Sequence, residues 1–492
     1  MSKIIQKVKS PLLIAICCLL GLSMGEGLVR AEGSGPASYN YSFWGLTVAS
    51  PAAYVATDLY SGKSLGVGTF KEPSDLHVTR DNQIYVLDSG NNRIVILDES
   101  FHVLEVIETF KREGETDTFS NPQGIFVTDN NHVIVADTGN KRVVHLDQNF
   151  NLVKILEAPE SELLTSTFQF QPVRVVMDEA QRIYVMAIGV FDGFMEFNAE
   201  GVFTSFIGAN RVYVDPVEYF WKRLSTKAQR SQMVMFTPTE FTNLDIDDEG
   251  FIYATNGDNW GDNIKKLNAQ GNDILRRTGY YSPQGDIRYT ADTGRSRMID
   301  IDVTDSEIYS VLDAKRGRVF TYSGDGHFMY VFGGIGNQLG EFNTPTAIDR
   351  VGDDFIVLDK ALGEITLFRT TEYGRTLNEA VRSYYRGQEE AAFDLFSQTI
   401  NMNANLEFAY AGIGKALLRQ GDYDESMKQF KRSMDQANYS KAFLLFRKQV
   451  MREHFATIMT VIVVLIIGAW AAGRYRKAAK YRKAIRKRGV SI

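Results

Sequence analysis

Three patterns of apolar residues succeed one another along the chain. From about residue 40 to residue 370, short apolar runs alternate with polar positions and are broken by Asp, Gly or Asn, the signature of strands joined by tight turns. From Leu377 to Met434 the spacing changes to helical period. From Phe455 to Gly473 no charged residue occurs at all, and the middle of this run is Val-Ile-Val-Val-Leu-Ile-Ile.

The strand region repeats itself. Pro73-Ser-Asp-Leu-His-Val followed by Ile84-Tyr-Val-Leu-Asp-Ser-Gly-Asn-Asn-Arg returns 49 residues later as Pro122-Gln-Gly-Ile-Phe-Val followed by Val133-Ile-Val-Ala-Asp-Thr-Gly-Asn-Lys-Arg. Weaker copies centre on Pro172, Asn243, Asp300 and Pro345, giving six in all. Four strands per copy cannot bury both faces of a sheet, so six copies predict a ring of sheets. The last copy ends near Arg369 after about three strands, while Ala53-Tyr-Val-Ala-Thr-Asp-Leu is strand-like and precedes the first copy. This predicts that the N-terminal strand completes the sixth sheet and removes an open edge.

These residues resemble the NHL repeat, strongly in the first two copies and in fragments afterwards, over roughly residues 40–370. The fold expected is mainly β: a six-bladed β-propeller over residues 32–373, with a helical insertion at about 212–237. In Asp88-Ser-Gly-Asn-Asn-Arg93 and Asp137-Thr-Gly-Asn-Lys-Arg142 the Asp is expected to accept turn amides, the Gly to supply a positive φ, and the Arg to pair back with the Asp. Asp313 with Arg318 reads as a remnant of the same unit. In the helical region, Gly387 and Gly421, Phe396 and Phe430, and Ile400 and Met434 are each 34 residues apart. Leu417-Leu-Arg-Gln-Gly421-Asp-Tyr-Asp-Glu-Ser-Met-Lys-Gln-Phe430 resembles a tetratricopeptide repeat. That resemblance implies helical repeats over 374–440, with Gly421 permitting close helix packing and Phe430 filling the groove. Fewer than three repeats rarely stand alone, so docking on the propeller or a juxtamembrane helix at 441–454 is expected.

The two ends carry addresses. Lys3, Lys7 and Lys9 precede an uncharged run from Ser10 to Gly25 and a small-residue site ending at Ala31, which reads as a signal peptide over 1–31. The span 455–473 is about 28 Å long as a helix, close to the hydrocarbon thickness. Nine Lys or Arg and no acid follow it in the tail 474–492. The positive-inside rule keeps that tail in the cytoplasm and the rest of the chain outside. With the tail's nine cations and the four cations and one anion of residues 1–31 set aside, 41 basic residues face 59 acidic ones, a net charge near −18. Such a surface disfavours nucleic acid as a partner. The only cysteines, Cys17 and Cys18, fall within the leader, so the processed chain has no disulfide. A cleavable leader, a single anchor and no disulfides suit a bacterial surface.

Candidate chemistry is sparse. The chain has six histidines, none paired at zinc-ligand spacing, and no Gly-x-Ser-x-Gly elbow. One register position on the predicted innermost strands reads Asp75, Gly124, Arg174, Asn243, Asp300 and Ala347 around the ring. Asp75, Arg174, Asn243 and Asp300 are therefore the candidate ligands at the channel mouth. Likeness to propellers of the gluconolactonase type implies a Ca²⁺ or Mg²⁺ site on Asp75, Asn243 and Asp300, whose oxygens suit a hard cation. In the insertion, Trp221, Lys222, Arg223, Lys227 and Arg230 form a basic, aromatic docking candidate on an acidic ectodomain. The chain thus reads as a membrane-anchored binding or scaffold protein, presenting its propeller and helical repeats to a protein, peptide or glycan and serving as an accessory to transport or secretion. A cation-dependent propeller hydrolase is the alternative.

Overall fold

The computed structural model describes residues 38–487 apart from 113, 162–163, 165–167, 211–219, 221–222, 226–238, 258–261 and 305. The leader expected at 1–31 lies outside the described residues, as do Trp221, Lys222, Lys227 and Arg230; Arg223 is exposed.

Six antiparallel sheets stand around one axis. Their innermost strands are Asp75–Val78, Gly124–Val127, Pro172–Met177, Phe241–Ile246, Met298–Val303 and Pro345–Val351. Each lies beside the next in cyclic order, and the sixth lies beside the first. The second strand of each blade is apolar and buried along its length, as in Ile84–Asp88, Val133–Asp137 and Tyr309–Asp313. Both faces of such a strand are covered by neighbouring blades, so alternation gives way to continuous Val, Ile and Leu. Outer strands such as Val103–Ile107 keep one wet face.

The sixth blade consists of Pro345–Val351, Asp354–Asp359, Glu364–Thr370 and the N-terminal strand Tyr54–Ser61. Tyr54–Ser61 runs antiparallel to Glu364–Thr370, as the leftover strand pattern implies. Blade 4 departs from the expected four strands. Its sheet has three, ending at Ile264–Leu267. The edge is satisfied by other means: Lys266 O accepts the Ile274 amide at 2.7 Å, and Ile264 O accepts the Arg277 guanidinium at 3.0 Å. Side chain and irregular backbone thus block the edge without a fourth strand.

The turn motif behaves partly as expected. Arg93 and Arg142 pair back to Asp88 and Asp137 at 2.8 Å. The amides that these carboxylates accept belong to the preceding inter-blade connection, Lys71 N and Ser120 N, both at 2.7 Å. The left-handed residues are Asn92 and Lys141, each with φ 55°. Gly90 and Gly139 serve close approach instead: a Cβ there would sit 2.6 Å from Lys71 O and 2.5 Å from Ser120 O. Asp313 pairs with Arg316 at 3.3 Å, while Arg318 turns to Asp286 at 2.9 Å. Asp286 also accepts the hydroxyls of Tyr39 and Tyr41, and so fixes the hairpin of Tyr39–Tyr41 and Thr47–Ala49.

Five helices follow: α1 (Glu372–Tyr385), α2 (Glu389–Met402), α3 (Glu407–Gln420), α4 (Tyr423–Arg432) and α5 (Gln436–Lys487). Thr371 caps α1, its hydroxyl accepting the Gly374 amide at 3.2 Å. The helices share a core with the propeller: Leu377, Val381, Phe396, Phe408 and Leu417 pack with Tyr54, Tyr330, Phe332 and Phe355. Asn378 donates to Tyr54 Oη at 3.0 Å and accepts from Tyr330 Oη at 2.8 Å, stitching α1 to blades 5 and 6. Lys415 of α3 meets Asp325 of blade 5 at 2.7 Å. Gly421 does not mediate close packing as expected. It ends α3 in a left-handed cap with φ 89°, and a Cβ there would meet no described atom within 4 Å. The close-packing glycines are Gly412 and Gly414, against the rings of Phe396 and Phe430. Helix α5 is continuous for 52 residues, about 78 Å, with no break where a separate juxtamembrane helix was expected. Its first turns bury Ala442 against Met427 and Phe430. Farther on, Val464, Leu465 and Ile466 are each more than 60% exposed. This helix is long and apolar enough to cross a membrane.

The joint between closing strand and helices gives a test. A Cβ on Gly374 would sit 2.2 Å from Ala53 O. We expect Gly374→Val to lower unfolding free energy by about 1–3 kcal/mol, from overpacking, without loss of secondary structure. Denaturant titration followed by tryptophan fluorescence and circular dichroism measures this, and an unchanged midpoint would contradict the joint.

Candidate functional site

The innermost strand of each blade has one edge facing the axis with no strand beside it, so its N–H groups there need acceptors. Side chains of the preceding blade supply them at two levels. At the first, Asp75 Oδ2 accepts Ile125 N of blade 2 at 2.9 Å, and Asp300 Oδ2 accepts Ile348 N of blade 6 at 2.5 Å. Asn243 donates its amide to Asp300 Oδ1, joining blades 4 and 5. Arg174 reaches from blade 3 to Gln123 O of blade 2 and, at 3.3 Å, to Ser74 O before blade 1. Gly124 allows blade 3 to come close, since a Cβ would lie 2.6 Å from Val173 O. Ala347 is buried.

A second level, two residues further along each strand, did not emerge from the register reading. Asp245 Oδ2 accepts Val303 N at 3.0 Å, and Asp349 Oδ2 accepts Val78 N at 2.7 Å. His77 Nε2 lies 3.0 Å from Val127 O, and Asp302 pairs with Arg350 at 2.8 Å. The signal was present in the sequence as Asp75-Leu-His, Asn243-Leu-Asp, Asp300-Ile-Asp and Ala347-Ile-Asp, a polar residue recurring at strand period.

Between these levels and the turns that follow the innermost strands lies a cavity of about 790 Å³ along the axis. Asp75, Arg174, Asn243 and Asp300 line its inner end. They are thus at the floor of the cavity, with the mouth at the far ends of the same strands. At that mouth Arg80 bridges Asp129 of the blade 2 turn at 2.9 Å and Asp248 of the blade 4 turn at 2.5 Å. All three are exposed, so the bridge contributes little to stability.

Electrostatics follow from crowding carboxylates in a confined space. Burial first, then the neighbouring charge of Asp302, pushes Asp245 up to about 8. Burial, with Asp75 nearby, holds Asp300 well above the usual carboxylate range, and burial with Asp302 does the same for Asp349. Burial likewise raises Asp75 against the opposing pull of Arg174. His77 is pushed down to about 4 by burial.

The floor does not fit a divalent cation. Asn243 Oδ1 accepts the Leu244 amide and its nitrogen faces Asp300, whose two oxygens already take the amides of Ile301 and Ile348. The Arg174 guanidinium lies 3.9 Å from Asp75, where it already supplies positive charge. Among the described residues no group of three or more His, Cys, Asp or Glu is placed to hold a metal ion.

The NHL repeat family matches residues 70–97 and 119–146, the first two blades. A search of curated proteins found no sequence match. Among solved structures, virginiamycin B lyase from Staphylococcus aureus aligns at 9% identity over 61% of this chain and 95% of its own, with a TM-score of 0.38. A streptogramin B lyase aligns at 11% identity over 65% and 100%, with a TM-score of 0.40. A protein of unknown function from Bacteroides thetaiotaomicron aligns at 14% identity over 61% and 70%, with a TM-score of 0.39. At these values no chemistry transfers.

Two outcomes are expected. Asp245 holds a proton in the folded state that the unfolded chain releases above its ordinary value near 4, so its contribution to stability is lost as pH rises through about 8. His77, His145 and His327, each lowered to about 4, act oppositely, and their effect is complete only about one unit above the ordinary value of 6.5. From about pH 7.5 to about pH 9 the carboxylates therefore dominate, and unfolding free energy should fall by about 1 kcal/mol. Asp245→Asn should flatten that slope in urea titrations; an unaltered slope would sink the assignment. Second, Ca²⁺, Mg²⁺ or EDTA should leave the melting temperature unchanged, whereas stabilisation by millimolar Ca²⁺ would restore the cation reading.

Proposed function

We propose that the protein is a membrane-anchored binding platform that holds a protein, peptide or glycan partner outside the cytoplasm. The observation that carries this reading is the shared core of blades 5 and 6 with α1–α3, together with a second, smaller cluster in which Phe430 of α4 meets Gly414 of α3 and the first turns of the apolar helix α5. A propeller joined this way moves with its anchor. Nine cations after Gly473 favour a cytoplasmic tail and an outward propeller. The tetratricopeptide-like helices serve chiefly as a rigid stalk, because α1 and α3 spend faces on the propeller through Asn378, Phe408 and Lys415. Among the described residues, a surface open to a partner is the cavity mouth, lined by Arg80, Asp129, Arg182 and Asp248. The channel polar groups are engaged in joining blades, which favours binding over catalysis.

Protease added to wall-stripped cells should degrade the propeller and leave an epitope on residues 474–492 intact. A photo-crosslinker at Asp129 should trap the same partner reproducibly, with yield reduced several-fold by Arg80→Glu. Protection of the propeller would overturn the topology. Equal trapping from a crosslinker at the opposite face would overturn the choice of surface.

A further inference from the structure

Blade 2 holds two histidines that thirteen residues separate in sequence and one hairpin brings together. His132 directly precedes the strand Val133–Asp137, and His145 lies on Arg142–Leu146 opposite Ile134. His132 Nδ1 and His145 Nε2 are 2.9 Å apart, with ring planes inclined at 53°. His132 is half-buried, while His145 is 3% exposed and its Nδ1 has no hydrogen-bond partner among the described residues. Both rings line the axial cavity, which gives an ion a path to them.

We infer that His132 and His145 form a bis-imidazole chelate for a divalent transition metal of the copper class, the metal displacing the proton between His132 Nδ1 and His145 Nε2, which passes through solvent to the far nitrogen of the ring that carried it, so that both imidazoles stay neutral. Metal–imidazole bonds are about 2.0–2.1 Å long. Two such nitrogens at the right angle of a tetragonal ion lie about 2.9 Å apart, and at a tetrahedral angle about 3.3 Å apart. The observed separation, that of the hydrogen bond between the rings, already falls close to this range, and the affinity order for imidazole sites puts Cu²⁺ first, with Ni²⁺ and Zn²⁺ behind it. Each ring must turn so that its lone pair leaves the nitrogen–nitrogen line by about 45°.

The groups facing the pair are Lys154, Asp147 and the rings themselves. Lys154 opposes a cation, but its ammonium is committed to Ala199 O of the next blade. Asp147 offsets that charge while its Oδ1 accepts the amides of Asn149 and Asn151 and its Oδ2 the Asn151 side-chain amide. Two protein ligands leave the remaining positions to water, so the site is exchangeable rather than structural. It is independent of the binding platform proposed above, and neither reading depends on the other.

The test is titration of the full-length protein in detergent with CuCl₂, read by electron paramagnetic resonance. We expect one saturable equivalent whose nitrogen splittings report two imidazoles, with one imidazole lost in His132→Ala and in His145→Gln. His102→Ala, at an exposed histidine, should leave the signal unchanged. Should His145→Gln not fold, the half-buried His132→Ala decides alone. A spectrum and stoichiometry identical in wild type and His132→Ala would overturn the site.

Discussion

Everything in the propeller depends on a debt of hydrogen bonds at its axis. Six innermost strands each expose a row of N–H groups to the channel, and the strands stand too far apart to pair with one another. Asp75, Asp245, Asp300 and Asp349 meet that need one blade at a time, each reaching forward to the next blade's amide. The Asp349 bond to Val78 closes the circle at the same boundary that the N-terminal strand closes on the outside. An amide left bare there would cost about 1–3 kcal/mol, so the acceptors are as much a part of the fold as the apolar seams between blades.

The arrangement has an electrostatic consequence. Carboxylates suited to amide donors are brought together around one narrow axis, where burial and mutual repulsion favour their protonated forms. Arg174 and Arg350 relieve part of this, one at the floor and one beside Asp302. Relief is incomplete because both guanidiniums also serve other acceptors: Arg174 the carbonyls of Gln123 and Ser74, Arg350 the hydroxyl of Ser310. The result is a ring held together by groups whose charge state depends on pH.

Much of this architecture was legible in the sequence. The 49-residue offset, the Asp–Arg pairs at 88/93 and 137/142, and the leftover N-terminal strand are local or periodic signals, and pattern is enough to find them. The axial position was found as well, at Asp75, Arg174, Asn243 and Asp300, but the bonds these side chains make there were not legible. Register identifies which side chains face the channel; it does not reveal that a carboxylate there is claimed by an amide some fifty residues away. The roles of the glycines were hidden for the same reason. Gly90 and Gly139 make room for a carbonyl of the preceding connection, and Gly421 is a helix cap, distinctions that rest on contacts and φ values and leave the motif letters unchanged. Blade 4 ends at its third strand, with Ile264 O paired to Arg277, a contact no periodicity encodes.

The helical segment shows what such contacts decide. Thirty-four-residue spacing predicts helices, yet the spacing is silent on which face looks outward. Here Asn378, between the hydroxyls of Tyr54 and Tyr330, fixes α1 against blades 5 and 6, and Tyr54 belongs to the strand that closes the ring. One residue at the start of the closing strand therefore joins circular closure to the attachment of the helices. A local opening at Tyr54 would loosen both at once, and the long helix α5 would lose its fixed relation to the channel. Coupling of that kind follows from shared hydrogen bonds, and requires no movement within the blades themselves.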